Sequence, residues 1–144
     1  MSEFPEPTYL FVYGTFLKGM AHSSFLDASN RAQFISEATI SAQLYDTGAF
    51  PAALLSRTND LQGEIYQLNE PWTVLSTIDF IEGFNLEHPK RSLFKRETCR
   101  AKNGNQSWEV QVYIYNQSVE SLPRIESGSY RDYLQTSRLK DIDE

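Results

Sequence analysis

The sequence predicts an α+β fold: a small, mostly antiparallel β-barrel carrying one main helix and short peripheral helices. Three observations lead there. Short runs rich in branched and aromatic residues recur along the chain, separated by Gly, Pro and Asn turn signals. Only one segment, Trp72 to Glu82, has convincing helical periodicity. Apart from that segment, no helix of about ten residues separates consecutive strands, as a doubly wound parallel sheet requires throughout.

The elements follow in order. Tyr9 to Tyr13 (YLFVY) reads as a buried first strand that stops at Gly14. The loop from Gly14 to Gly19 has glycine at both ends, where a positive φ or a close backbone approach costs least. Ser23 to Ala28 reads as a short helix. Phe34, Ala38, Ile40, Ala42 and Leu44 fall on alternate positions, the pattern of a strand with one face inward, and Asp46 to Gly48 turns the chain. Phe50 to Leu55 is apolar, but Pro51 suits it to an edge strand or a pocket wall. Leu61 to Leu68 is a further strand, with Gly63 as a candidate bulge.

Asn69-Glu70-Pro71 opens the main helix: Asn offers a capping oxygen, Glu suits the positive helix end, and Pro is tolerated in the first turn. Gly83 is placed to end it. Ser92 to Lys102 and Ser107 to Asn116 flank the polar turn 103–106 and form a hairpin. Trp108, Val110, Val112 and Ile114 share one face of its second strand, with Tyr113 and Tyr115 on the other. Tyr130 to Leu134 is a short closing helix. This gives about six strands in a single domain over residues 1–144, with 1–8 and 140–144 expected to fray.

Bulk properties narrow the function classes. A chain of 144 residues with 40% hydrophobic content can bury a core. Its net charge of -6 is dispersed along the chain, which gives no footprint for nucleic acid or an anionic membrane. The first eight residues lack the features of a secretory signal, and no stretch approaches the ~20 apolar residues of a membrane span. Cys99 is a single cysteine, so no intramolecular disulfide framework forms, and a reducing cytoplasm is expected. His22 and His88 lie far apart with no second ligand at metal spacing, so neither a metal nor another cofactor is expected.

One residue stands out against this background. On a helical wheel, Leu75, Ile78 and Glu82 fall on one stripe, with Trp72, Val74 and Ile81 extending the apolar arc. A carboxylate aimed toward a core must gain a partner, take up a proton, or open into a cavity. The plain alternative is that Glu82, beside Gly83, swings out to solvent as the helix ends.

Two segments bear on that choice. Val12-Tyr13-Gly14-Thr15-Phe16-Leu17-Lys18-Gly19 resembles the YGTL-type loop of the gamma-glutamylcyclotransferase-like family, gamma-glutamylamine cyclotransferase type. Ile78-Asp79-Phe80-Ile81-Glu82-Gly83-Phe84 resembles that family's D-x-x-E-G-[FY] segment. Weaker echoes follow in residues 50–54, 63–66 and 94–97.

The resemblance implies the family's barrel fold, and it makes Tyr13, Gly14, Thr15 and Phe16 a substrate-binding loop and Glu82 the proton acceptor. Leu17, Phe50, Pro51 and Tyr115 are further candidates for the pocket. The implied partner is a small-molecule gamma-glutamyl substrate, and the oligomeric state is left open. Two departures concern the leaving-group side: Phe16 stands where the family usually has leucine, and Met20-Ala21-His22 where relatives often carry asparagine before the histidine.

The implied chemistry is an intramolecular one. The substrate's own alpha-amino nitrogen attacks its gamma-carbonyl carbon, closes a five-membered lactam and releases an amine. A free Glu, at about 4.3, is a poor base for an amine, and an apolar setting raises it toward the working pH. Main-chain N–H groups at Gly14, Thr15 and Phe16 suit a carboxylate or an oxyanion. Other readings remain beside this one: removal of a gamma-glutamyl protecting group by the same chemistry, and a non-catalytic small-ligand binder of the same fold. Thr15 as a nucleophile needs an adjacent base that the sequence does not reveal, and Cys99 reads as a packed, inert thiol.

Overall fold

The structure is a computed structural model that describes residue 4 and residues 6–27 and 30–143. Five strands alternate with three helices: β1 (Thr8–Val12), α1 (Ser23–Asp27), β2 (Ala32–Asp46), β3 (Pro51–Leu68), α2 (Pro71–Glu82), β4 (Phe94–Asn103), β5 (Gln106–Tyr115) and α3 (Tyr130–Asp143). The strands close a barrel in the order β1-β3-β2-β4-β5. All neighbours are antiparallel except β1 and β5, whose parallel pairing of Tyr9 with Val110 and Leu10 with Gln111 shuts the barrel.

The strand count differs from the sequence reading because Phe50–Leu55 and Leu61–Leu68 are not separate strands. Both lie in β3, which pairs with β2 along its length, and the polar stretch 56–59 is accommodated by a register shift between Ser41 and Ala42. Gly63 is no bulge: it pairs in register with Ala38, and β1 explains the glycine instead. A Cβ at Gly63 would stand 2.2 Å from the Val12 carbonyl oxygen and 2.5 Å from the Phe11 ring.

An irregularity does occur between Phe34 and Ser36. It inserts one residue and reverses the alternation, so Ile35 packs against the barrel core while Phe34 is partly exposed beneath the Lys18 ammonium.

Strand alternation sorts the apolar side chains into two layers. Phe11, Ile40, Leu44, Leu61, Ile65, Val110 and Val112 fill the barrel, while Leu10, Val12, Tyr66, Leu68 and Tyr113 point outward under the helices. Being buried on both faces explains why β1 reads as an unbroken apolar run. On β5 the expected division holds, with Val110, Val112 and Ile114 inside and Tyr113 and Tyr115 outside.

α2 lies on the outer layer through Val74, Leu75 and Ile78, side chains worth roughly 1.5–3 kcal/mol each when fully buried. Its C-terminus is a left-handed cap: Gly83 has φ 68°, its N–H bonds Phe80 and that of Phe84 bonds Asp79. The N-terminus departs from expectation, because the Asn69 amide donates to the Asn30 carbonyl and no side chain caps the helix. Trp72 and Ile81 also leave the expected apolar arc for solvent.

At the chain ends, Thr8 is buried and paired with Leu68, and α3 continues past Leu134 to Asp143. The expected fraying of residues 1–3, 5 and 144, and Ala28 at the end of α1, lie outside the described residues.

Candidate active site

Glu82 is the last residue of α2, on the same stripe as Ile78, where the helix meets the end of β1 and the start of β3. The side chains there enclose a cavity of about 40 Å³, room for about three water molecules. Its walls are Tyr13, Gly14, Thr15 and Phe16, then Phe50, Pro51, Ile78, Phe94 and Tyr113, with Glu82 among them. The structure thus brings together Glu82, the four loop residues, Phe50 and Pro51. Leu17 lines a different hollow of about 430 Å³ around Glu64 and Arg131. Tyr115 packs behind the wall, its ring against Phe50 and Phe94. A third, open hollow of about 690 Å³ runs beside α2 at Trp72, Phe80 and Arg96.

No side chain or main-chain group among the described residues hydrogen-bonds the Glu82 carboxylate, and burial alone pushes it up to about 7. It therefore titrates near neutrality. The buried Tyr13 hydroxyl donates to the Tyr113 carbonyl at 2.6 Å, tying the segment after β1 to β5. Tyr113 in turn donates its hydroxyl to Asp79 Oδ1 at 2.5 Å, one turn before Glu82. Burial first, and then neighbouring carboxylates, raise both phenols, so they stay protonated.

The loop is shaped by its own hydrogen bonds. Leu17 N–H reaches Gly14 O at 3.0 Å, His22 N–H reaches Thr15 O at 2.8 Å, and Lys18 N–H reaches buried Glu64 Oε1 at 3.1 Å. The N–H groups of Gly14, Thr15 and Phe16 find no acceptor among the described residues. All three residues line the cavity.

Gly14 is required for space rather than for φ, since a Cβ there would meet Pro51 Cγ at 2.4 Å. Thr15 has a neighbour that the sequence hides: His22 Nδ1 lies 3.0 Å from its hydroxyl, with the imidazole ring against Phe16. His22 itself is exposed, and among the described residues no third group hydrogen-bonds its ring.

Sequence reasoning missed Ile78, Phe94 and Tyr113 as cavity walls, and Asp79 and Arg96 behind them. The outward phase of Tyr113 on β5 was the one available signal. Cys99 packs partly buried against the barrel core, and burial pushes its thiol up to about 11. Among the described residues no three His, Cys, Asp or Glu side chains gather as metal ligands, and no helix is long and apolar enough to cross a membrane.

A family model described as gamma-glutamyl cyclotransferase, AIG2-like, matches residues 10–132. No curated protein matches the chain in sequence. Among solved structures, an AIG2-like protein of Mus musculus is similar at 23% identity, covering 88% of this chain and 89% of its own, with a TM-score of 0.66. The ytfP protein of Escherichia coli is 22% identical, with 88% and 98% covered and a TM-score of 0.63. An uncharacterized protein from Pyrococcus horikoshii is 20% identical, with 91% and 96% covered and a TM-score of 0.64. At these identities the solved structures establish a shared barrel fold.

Proposed function

This chain belongs to the AIG2-like gamma-glutamyl cyclotransferase family, and on that premise we propose that it releases an amine from a gamma-glutamyl amide or peptide and forms 5-oxoproline or a related lactam. The observation that carries the reading is Glu82: a carboxylate without a hydrogen-bond partner, raised to about 7, facing a small cavity whose loop presents unpaired N–H groups.

In this reading the substrate enters with its alpha-amino group protonated. Glu82 takes a proton from the ammonium, and the freed nitrogen attacks the gamma-carbonyl carbon of the same molecule. The carbonyl oxygen becomes an oxyanion, which the N–H groups of the Gly14–Phe16 turn stabilise. Protonated Glu82 gives its proton to the leaving nitrogen, the tetrahedral centre collapses as the bond to that nitrogen breaks, and the Glu82 carboxylate so regenerated takes the second proton from the ring nitrogen, leaving a neutral lactam and a neutral amine. A carboxyl group near 7 can do both, because neither protonation state is strongly favoured at neutral pH.

Much of the catalysis is positioning. Holding nucleophile and carbonyl in a reactive geometry can contribute ~7–11 kcal/mol. Among the described residues the cavity is lined by no Lys, Arg or His.

The test is incubation with gamma-glutamyl amino acids, gamma-glutamyl-epsilon-lysine and glutathione, with mass-spectrometric detection of 5-oxoproline. Equimolar 5-oxoproline and amine from at least one substrate is expected. Release from none of them would leave a binding protein of this fold as the better reading.

A further inference from the structure

Behind the cavity wall lies a buried trio that the reaction itself does not touch. Arg96 on β4 and Tyr113 on β5 are direct cross-strand partners, and both side chains converge on Asp79 of α2. The Tyr113 hydroxyl is 2.5 Å from Asp79 Oδ1 and Arg96 Nε is 3.5 Å from the same oxygen. The Arg96 side chain is only 9% exposed, its guanidinium lies between the rings of Phe4 and Phe84, and its buried Nη1 has no acceptor. Asp79 is thus the one anion paired with this cation among the described residues.

We propose that Asp79 is a positioning residue for Glu82: it pins the last turn of α2 to the Tyr113 wall and cancels the Arg96 charge that would otherwise act on the Glu82 carboxylate. The proposal rests on the reading of Glu82 as the base.

Two constraints meet at Asp79. Its main-chain oxygen accepts the Phe84 N–H in the helix cap that follows Glu82, while its side chain holds the sheet, so the turn carrying Glu82 is fixed at both levels. The titratable groups that share the cavity with Glu82 are Tyr13, just after β1, and Tyr113 from β5, with Asp79 of α2 and Arg96 of β4 joined to Tyr113 outside that lining. The walls at Gly14–Phe16 and Phe50–Pro51 carry no titratable side chain, and Glu87, His88, Lys90 and Arg91 after the helix are exposed. With both phenols neutral, Asp79, three residues before Glu82 on α2, and its partner Arg96 are the ion pair that adjoins the Tyr113 wall of the cavity. Charges shielded from water act over distances at which exposed ones are screened.

The trio makes opposite predictions for its two ends. Asp79→Asn keeps the shape but exposes the Arg96 charge, so the Glu82 titration moves down, by about one unit for a nearby unmatched cation. Arg96→Gln leaves an unmatched anion, so the titration moves up. The double variant returns toward wild type. A merely structural role would loosen the helix end in either single variant and move both the same way, toward the free carboxylate value.

The experiment is a carbon-13 NMR titration of the Glu82 carboxyl, assigned by the signal lost in Glu82→Gln, in the wild type and these three variants. Shifts of opposite sign with recovery in the double variant are expected. Shifts of the same sign, or none, overturn the proposal. If Asp79→Asn does not fold, Arg96→Gln decides alone: an upward shift supports the role, and no shift or a downward one ends it. The titration requires no turnover, so its outcome is read separately from the assay for 5-oxoproline, whose failure would sink the cyclotransferase reading.

Discussion

A carboxylate whose ordinary value is 4.5 and which here titrates at about 7 changes how both catalysis and stability depend on pH. For catalysis, kcat/KM should fall on the acid side with a limb near pH 7, as free enzyme loses its base. A second limb should appear at high pH, where the substrate ammonium is lost, giving a bell-shaped profile. For stability the sign is the reverse of the usual carboxylate case. The folded state holds the Glu82 proton more tightly than the unfolded one, so its contribution is full below about 4.5 and is lost as pH rises through about 7. At ~1.4 kcal/mol per unit this amounts to at most about 3 kcal/mol, and Glu82→Gln should abolish it, melting higher than wild type at pH 8 but not at pH 4. Equal melting differences at both pH values would show that Glu82 is solvated. Glu82 was picked out in the sequence by its place on the helical stripe, which left a solvent-facing side chain open, together with the resemblance of the Asp79–Phe84 segment to a family motif. The Tyr113–Asp79–Arg96 convergence was not, because it joins side chains on three elements and depends on how α2 lies across the β4–β5 hairpin.

Single glycines decide how the site's elements meet. The loop after β1 turns beside Pro51, and the contact leaves no space for a Cβ at Gly14. Gly14→Val should push Pro51 and Phe50 into the cavity, so calorimetry with 5-oxoproline should show weakened binding alongside a smaller loss in melting temperature. Unchanged affinity would remove the loop from the site. The sequence pointed to this glycine by its place at a strand end, without distinguishing a positive φ from a close approach. Its partner is 37 residues away in sequence, and only the β2–β3 hairpin brings Pro51 there. The two ends of α2 make a similar contrast. Gly83 ends the helix as the sequence indicates, because a left-handed cap is a local preference. Asn69 fails as a cap because a tertiary contact with the Asn30 carbonyl takes its side chain.

For the molecule as a whole, alternation in β2, β5 and the doubly buried β1 was enough to indicate a closed, mostly antiparallel barrel. The continuity of β3 was hidden, because polar residues 56–59 interrupt the apolar pattern while the strand runs on through a register shift. Gly63 sits where β1 crosses β3, and its missing Cβ lets Val12 and Phe11 approach. Gly63→Ala should destabilise the barrel by about 1–3 kcal/mol or more in denaturant unfolding, since the obstruction includes backbone, and a neutral effect would mean that β1 can shift freely there. The central claim is that this barrel holds Glu82 as the acid and base of a lactam-forming cyclisation. The most direct test compares wild type with Glu82→Gln on the best gamma-glutamyl substrate, following 5-oxoproline release and 5-oxoproline affinity together. The account predicts a loss of turnover of at least about 10²–10⁴-fold with product binding retained; turnover near the wild-type rate in Glu82→Gln would contradict it.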